Sequence, residues 1–281
     1  MLDEKTIKEL TSKATEIRAL TLDALGYLGV GHLGGCMSLV DVLTLLYYRH
    51  MKIDPKDTRK RDRDQLVVSK GHAGPTLYSI LADKGYFPIE KLHTLNKGGT
   101  DLPSHCDRNL TPGIDMTTGS LGQGLSAAIG IALGNRLDGI QSTVFAIIGD
   151  GESNEGQVWE AAQAAAQFRL NHLVAFTDYN KLQLDGFMYE IMNIEDITAK
   201  WVSFGWFVQR VNGHDFGQMD LAIERTKAEP VRPSMIVLDT IKGKGVDFAE
   251  NQVASHNMKI DYATALRTIA KIEDEMGVVN E

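Results

Sequence analysis

Thr143-Val144-Phe145-Ala146-Ile147-Ile148, running straight into Gly149-Asp150-Gly151, decides the fold. Its residues are β-branched, aromatic or small and show no polar alternation, the pattern of a strand covered on both faces. The Gly-Asp-Gly that follows is a turn. Beyond it come an Ala-rich helical pattern over residues 155–168 and a second apolar run over 172–177, which ends in Asp178-Tyr179-Asn180-Lys181-Leu182. Strand, helix and strand in this order predict parallel strands joined by a crossover, which sets the two strand-end loops side by side. Asp150 and Asn180 then meet at the carboxyl edge of the sheet, where open α/β sheets bind ligands.

The alternation continues on either side. Residues 65–69, 206–211 and 235–240 read as further strands, and 4–28, 39–51, 121–136, 218–228 and 261–275 carry helical patterns. The whole predicts an α/β fold with a doubly wound parallel sheet. Residues 83–115 differ: Gly- and Pro-bearing, they lack clear periodicity, and long loops of this kind inside compact domains are commonly functional. No repeat, linker or composition shift divides the chain, so one domain over 1–281 is expected.

The 281 residues carry 29 Lys and Arg against 37 Asp and Glu, a net charge of −8, with 43% hydrophobic residues, which excludes a disordered or fibrous chain. The acidic balance argues against nucleic acid or an anionic membrane as partner. The N-terminal MLDEKTIKEL has no apolar signal core, and the least polar run, 124–134, is too short to span a bilayer. Cys36 and Cys106 have no metal-ligand spacing and read as reduced thiols. A soluble, cytoplasmic protein is the expectation.

Three groups of residues carry chemistry. The first is Asp150 with Asn180. A carboxylate, an amide oxygen and a nearby backbone carbonyl are hard oxygen ligands suited to Mg²⁺ or Ca²⁺, the remaining positions going to phosphate oxygens and water. Gly149 and Gly151 allow a diphosphate to approach the backbone closely. Alone, Gly-Asp-Gly is an ordinary turn; the strand before it and Asn180, reached after 28 intervening residues, give it meaning. The second group is His32, His72, His105 and His256, each close to glycine or serine. Taken singly, each reads first as a hydrogen-bonded loop histidine rather than a catalytic one, and no pair has zinc spacing. The third is Thr117-Thr118-Gly119-Ser120-Leu121-Gly122-Gln123-Gly124. It serves equally as a helix-packing element or as backbone offered to a flat heterocycle.

With Gly31-His32, Gly71-His72, residues 117–124, 149–156 and 180–186 in this order and spacing, nearly the whole chain resembles the transketolase family. The likeness implies transfer of a two-carbon ketol unit between sugar phosphates, using thiamine diphosphate and Mg²⁺, with Ca²⁺ or Mn²⁺ able to substitute. It makes Asp150, Asn180 and the Leu182 carbonyl the metal ligands. Gly151 and His72 would contact the diphosphate, with Asn180 and His256 also beside the cofactor. Gly119, Ser120 and Leu121 would meet the aminopyrimidine through their main chains. His32 and His105 would bind the ketose, and Glu155 would lie in a relay joining paired sites. His256 matches a family histidine that meets both cofactor and substrate, although Ser255-His256-Asn257 departs from the usual aromatic-His-Gly.

The resemblance also implies what this chain lacks: a pyrimidine-binding domain, with its glutamate and aromatic residues, and a C-terminal domain. An N-terminal subunit of a split transketolase, working with a second chain as α2β2 on sugar phosphates, pentose phosphates by default, is therefore the leading expectation. The α subunit of a 2-oxo-acid dehydrogenase E1 component is the alternative enzyme, disfavoured by Gly31-His32 and Gly71-His72. A non-catalytic cofactor-binding scaffold is the third reading.

Overall fold

The protein is represented by a computed structural model that describes residues 2–275. Strand β1 (Val30–Gly31) comes first, followed by β2 (Gln65–Val68), β3 (Val144–Gly149), β4 (Leu173–Tyr179), β5 (Phe207–Asn212), β6 (Ser234–Asp239) and β7 (Met258–Lys259). Five of these form one all-parallel sheet in the order β2-β3-β4-β6-β5, and β1 pairs antiparallel with β7 in a separate ribbon. Every strand expected from the sequence is in the main sheet, with ends shifted by a residue or two.

The helices are α1 (Glu4–Leu28), α2 (Leu33–Met37), α3 (Val40–Leu45), α4 (Gly74–Asp83), α5 (Gln123–Leu137), α6 (Gly156–Gln167), α7 (Met188–Ile191), α8 (Ile197–Ser203), α9 (Phe216–Lys227) and α10 (Tyr262–Glu275). They cover both faces of the sheet. Phe145 and Ile147 of β3 join one core with Leu22, Leu43, Phe176 and Ile236, while Val144, Ala146 and Ile148 join the other with Leu125, Ala162, Trp201 and Trp206. Burial on both faces is why the strands read as unbroken apolar runs.

The structure refines three expectations. The helix expected over 155–168 is α6, with Glu155 as its extended N-cap at φ −71°, ψ 127°, and a tight 3-10 turn, Gly151–Asn154, precedes it. The helix expected over 39–51 is α3 followed by a wider π-helical turn, Leu46–His50. Residues 83–115 contain one helical turn, Ile89–Thr94, and the stretch is pinned by buried Leu92, Leu95, Leu102 and Cys106 and by an ion pair between Arg63 and Asp115. Helix α4 gave no sequence signal because all but its last residue are buried, so it has no amphipathic stripe. Among the described residues no helix is long and apolar enough to cross a membrane. Cys36 and Cys106 are both free and buried.

Candidate active site

The carboxyl ends of β2, β3, β4 and β6 release four loops on one edge of the sheet, and between them lies a cavity of about 210 Å³. Of the residues expected to act, His72, Leu121, Asp150, Gly151, Glu155, Asn180, Leu182 and His256 line it. His32 and His105 are not in this lining but belong to a histidine cluster with His72 and His256. The His32 ring centre lies 5.2 Å from that of His72, 5.6 Å from His105 and 5.6 Å from His256. Gly119, at φ 137°, lies against His105, where a Cβ would sit 2.8 Å from the ring. Ser120 points away: its hydroxyl accepts from Gln123 Nε2 at 3.1 Å on the exposed side.

Crossover pairing of β3 with β4 puts Asp150 against Asn180. Asp150 is 1% exposed, and its Oδ1 accepts from Gly151 N at 2.7 Å while Oδ2 accepts from Lys181 N. Burial first, then the nearby Asp178 carboxylate, push its pKa up to about 7. Asn180 accepts at Oδ1 from Leu182 N (3.1 Å) and donates through Nδ2 to Asp178 Oδ2 (3.2 Å). Burial opposes the charge on Asp178, yet Lys70, Thr240 and Ser38 hold it below the usual carboxylate range.

Two buried lysines face this acidic pair. Lys70 is satisfied by Asp178. Among the described residues, Lys242, 2% exposed, hydrogen-bonds neutral atoms only: the carbonyl oxygens of Leu182 and Gln183, each at 3.2 Å, and His256 Nδ1 at 3.2 Å. Burial, reinforced by the charge of Lys70, brings its pKa down to about 8. The histidines are depressed as well. Burial first, with help from neighbouring cations and histidines, takes His32 and His256 down to about 4 and His72 well below its ordinary value; burial also lowers His105. At neutral pH they are neutral imidazoles, each able to donate one hydrogen bond and accept another. Glycines keep the walls close: a Cβ on Gly151 would sit 2.9 Å from Gln183 Cβ, and one on Gly71 2.7 Å from the Thr118 backbone.

Sequence reading missed Gly35, Lys70, Glu152, Gln183, Leu184 and Lys242 in the lining. Lys70, Glu152 and Lys242 were accessible to it, since each closely follows a strand end on the ligand edge. A different group, His50, Asp220 and Glu224, has ligand-type atoms within 4.8 Å of one another. It is not the metal site expected here. His50 shares a cavity with Thr143 and His172, which precede β3 and β4, so it lies at the opposite edge of the sheet. Arg49 and Lys227 already pair with the two carboxylates.

Residues 10–277 match the family model described as transketolase, thiamine diphosphate binding domain. The chain belongs to the transketolase family. It is 55% identical, over 95% of its length and 97% of the relative's, to the 6-deoxy-6-sulfo-D-fructose transketolase subunit SqwG of Clostridium sp. (strain MSTE9). To one of the subunits of the apulose-4-phosphate transketolase of Actinobacillus succinogenes it is 37% identical, over 89% of the chain and 90% of the relative. Among solved structures, transketolase from Pichia stipitis in complex with sedoheptulose 7-phosphate superposes with a TM-score of 0.87 at 27% identity, covering 96% of this chain and 45% of that one. The chain thus spans somewhat less than half the length of single-chain transketolases and nearly all of a transketolase subunit. It is the N-terminal, thiamine-diphosphate-binding part of a two-chain transketolase-family enzyme.

Proposed function

We propose that this chain, as one diphosphate-binding domain, joins a C-terminal subunit to transfer a two-carbon ketol unit from a ketose bearing an anionic tail, with thiamine diphosphate and Mg²⁺ bound at the cavity described. The observation that carries the reading is Lys242. A buried ammonium with only neutral partners is costly, and it faces the same cavity as the carboxylate of Asp150. A diphosphate and a divalent cation, entering together, satisfy both.

On this reading Asp150, Asn180 and the Leu182 carbonyl hold the metal. Lys242, Lys70, His72 and Gly151 take the phosphate charge, and the main chain of Gly119, Ser120 and Leu121 meets the aminopyrimidine. Bound thiamine diphosphate supplies the carbanion-stabilising centre at which the ketol carbon–carbon bond is cleaved and remade. His32, His105 and His256, kept neutral by burial, serve the ketose hydroxyl and carbonyl oxygens as donors and as proton acceptors. Glu155, extended at the cap of α6, couples paired sites.

The partner reading is supported by apolar residues exposed near the cavity: Leu184 at its lining, then Tyr189, 66% exposed, and Met192, 60% exposed, in the following segment. Contiguous exposed apolar surface marks interfaces. An α2β2 assembly in the cytoplasm fits this surface and the two free thiols. The donor follows the 55% relative: 6-deoxy-6-sulfo-D-fructose, ahead of the pentose phosphates. Reconstituted complex assayed against 6-deoxy-6-sulfo-D-fructose, D-xylulose 5-phosphate and apulose 4-phosphate decides. Highest kcat/KM for the sulfo-sugar is expected; preference for a phosphorylated ketose would overturn the donor assignment.

A further inference from the structure

Glu152 is 3% exposed, on the short turn after β3, and the ligand set proposed for the cofactor does not include it. Its carboxylate nevertheless joins three elements. Oε2 accepts from Gly149 N at 3.0 Å, at the end of β3. Oε1 accepts from Gly122 N at 2.9 Å, at the start of α5, and from the Ser69 hydroxyl just beyond β2. Gly149 begins the loop proposed to receive the diphosphate, and Gly122 closes the loop proposed to receive the aminopyrimidine. The packing around it is tight. Gly122 sits at φ 84°, where a Cβ would come 2.7 Å from Glu155 Cβ, and a Cβ on Gly124 would come 2.3 Å from Ser69 Oγ. A carboxylate at the N-terminus of the 15-residue α5 is also favourably placed against the helix dipole.

From this geometry we propose that Glu152 is a positioning residue: one buried carboxylate clamps the diphosphate loop to the aminopyrimidine loop and sets the spacing between the two ends of the bound cofactor. The inference rests on the cofactor reading above and adds a residue to it. A carboxylate suits the task because both oxygens are acceptors and each faces a backbone N–H. Glutamine has the same shape but turns one end into a donor, so it breaks one tether; alanine breaks both.

The test uses the two-chain complex carrying Glu152→Gln or Glu152→Ala, with two readouts. Hydrogen exchange of residues 117–123 in the cofactor-free complex should quicken about tenfold in Glu152→Gln and more in Glu152→Ala. The thiamine diphosphate concentration for half-saturation should rise about tenfold or more, while KM for the donor ketose stays within about twofold. Unchanged exchange and unchanged cofactor half-saturation would overturn the proposal. So would equal losses for cofactor and donor with faster exchange throughout the chain, which would make Glu152 a general stability residue. If Glu152→Ala does not assemble, the isosteric Glu152→Gln carries the same two readouts. Failure of the unaltered complex to bind thiamine diphosphate would instead sink the cofactor reading, and the exchange result would then judge the clamp by itself.

Discussion

Asp150→Asn should make the free chain more stable and destroy its metal-dependent cofactor binding. In the absence of metal the Asp150 carboxyl is buried beside Asp178, and its pKa climbs from 3.8 to about 7. At ~1.4 kcal/mol for each pH unit, that climb means the ionised carboxylate costs about 4 kcal/mol of folding stability above pH 7. Asparagine has no charge to bury. It does place an amide donor against one of two backbone N–H groups, from Gly151 and Lys181, which returns about 1–3 kcal/mol. The net expectation is a gain of about 1–3 kcal/mol. The sign with pH is fixed: a carboxyl whose pKa is raised on folding is harmless below its unfolded value near 3.8 and loses stability as pH rises to about 7. The advantage of Asp150→Asn is therefore widest above pH 7 and vanishes or reverses near pH 4. Urea unfolding of parent and variant in chelator, from pH 4 to 8, measures the difference directly. A variant less stable than the parent at pH 7.5, or a gap that does not change with pH, would refute the electrostatic account. Unchanged Mg²⁺-dependent thiamine diphosphate binding by the variant complex would refute the metal assignment.

Lys242→Met should weaken thiamine diphosphate binding in the complex at least tenfold, about 1.4 kcal/mol; calorimetry showing parental affinity would remove the residue that carries the functional reading. His105→Ala should lower kcat/KM for the donor ketose by about 10²-fold, in the range of general acid–base groups, with cofactor affinity nearly unchanged; equal losses of both would make the residue structural. Acid should destabilise the chain through its histidine cluster. Each of the four is held below its ordinary value, chiefly by burial, so their contribution is present above about pH 6.5 and is lost toward about pH 4 for His32 and His256. Thermal melts of Asp150→Asn, free of the opposing carboxyl, should show Tm falling from pH 7 to 5, and a flat Tm would contradict this.

The sheet was legible in the sequence for a physical reason. Strands β3 and β4 are buried on both faces, so their apolar runs are unbroken and bounded by polar turns. From those runs alone Asp150 and Asn180 fall on the ligand edge. Helix α4 escaped because full burial erases the helical stripe, and the tight turn before α6, in which Glu152 binds the backbone of Gly149 and Gly122, is too short to carry a periodic signal. Lys70 and Lys242 were overlooked because a lysine is read as surface by default. Only the folded cavity shows that Lys242 has no anionic hydrogen-bond partner among the described residues. His256, with its altered flanks, lines the same cavity as His72, their ring centres 5.2 Å apart.

The most direct measurement is ketol transfer with saturating Mg²⁺ and thiamine diphosphate, in three samples: this chain alone, its C-terminal partner alone, and the two mixed. Turnover is expected only in the mixture, because the proposed site assigns the groups for the diphosphate, the metal and the ketose oxygens to this chain and those that act on the pyrimidine ring to the partner. Robust turnover by this chain by itself, or none in an assembled mixture that binds both cofactors, would contradict it.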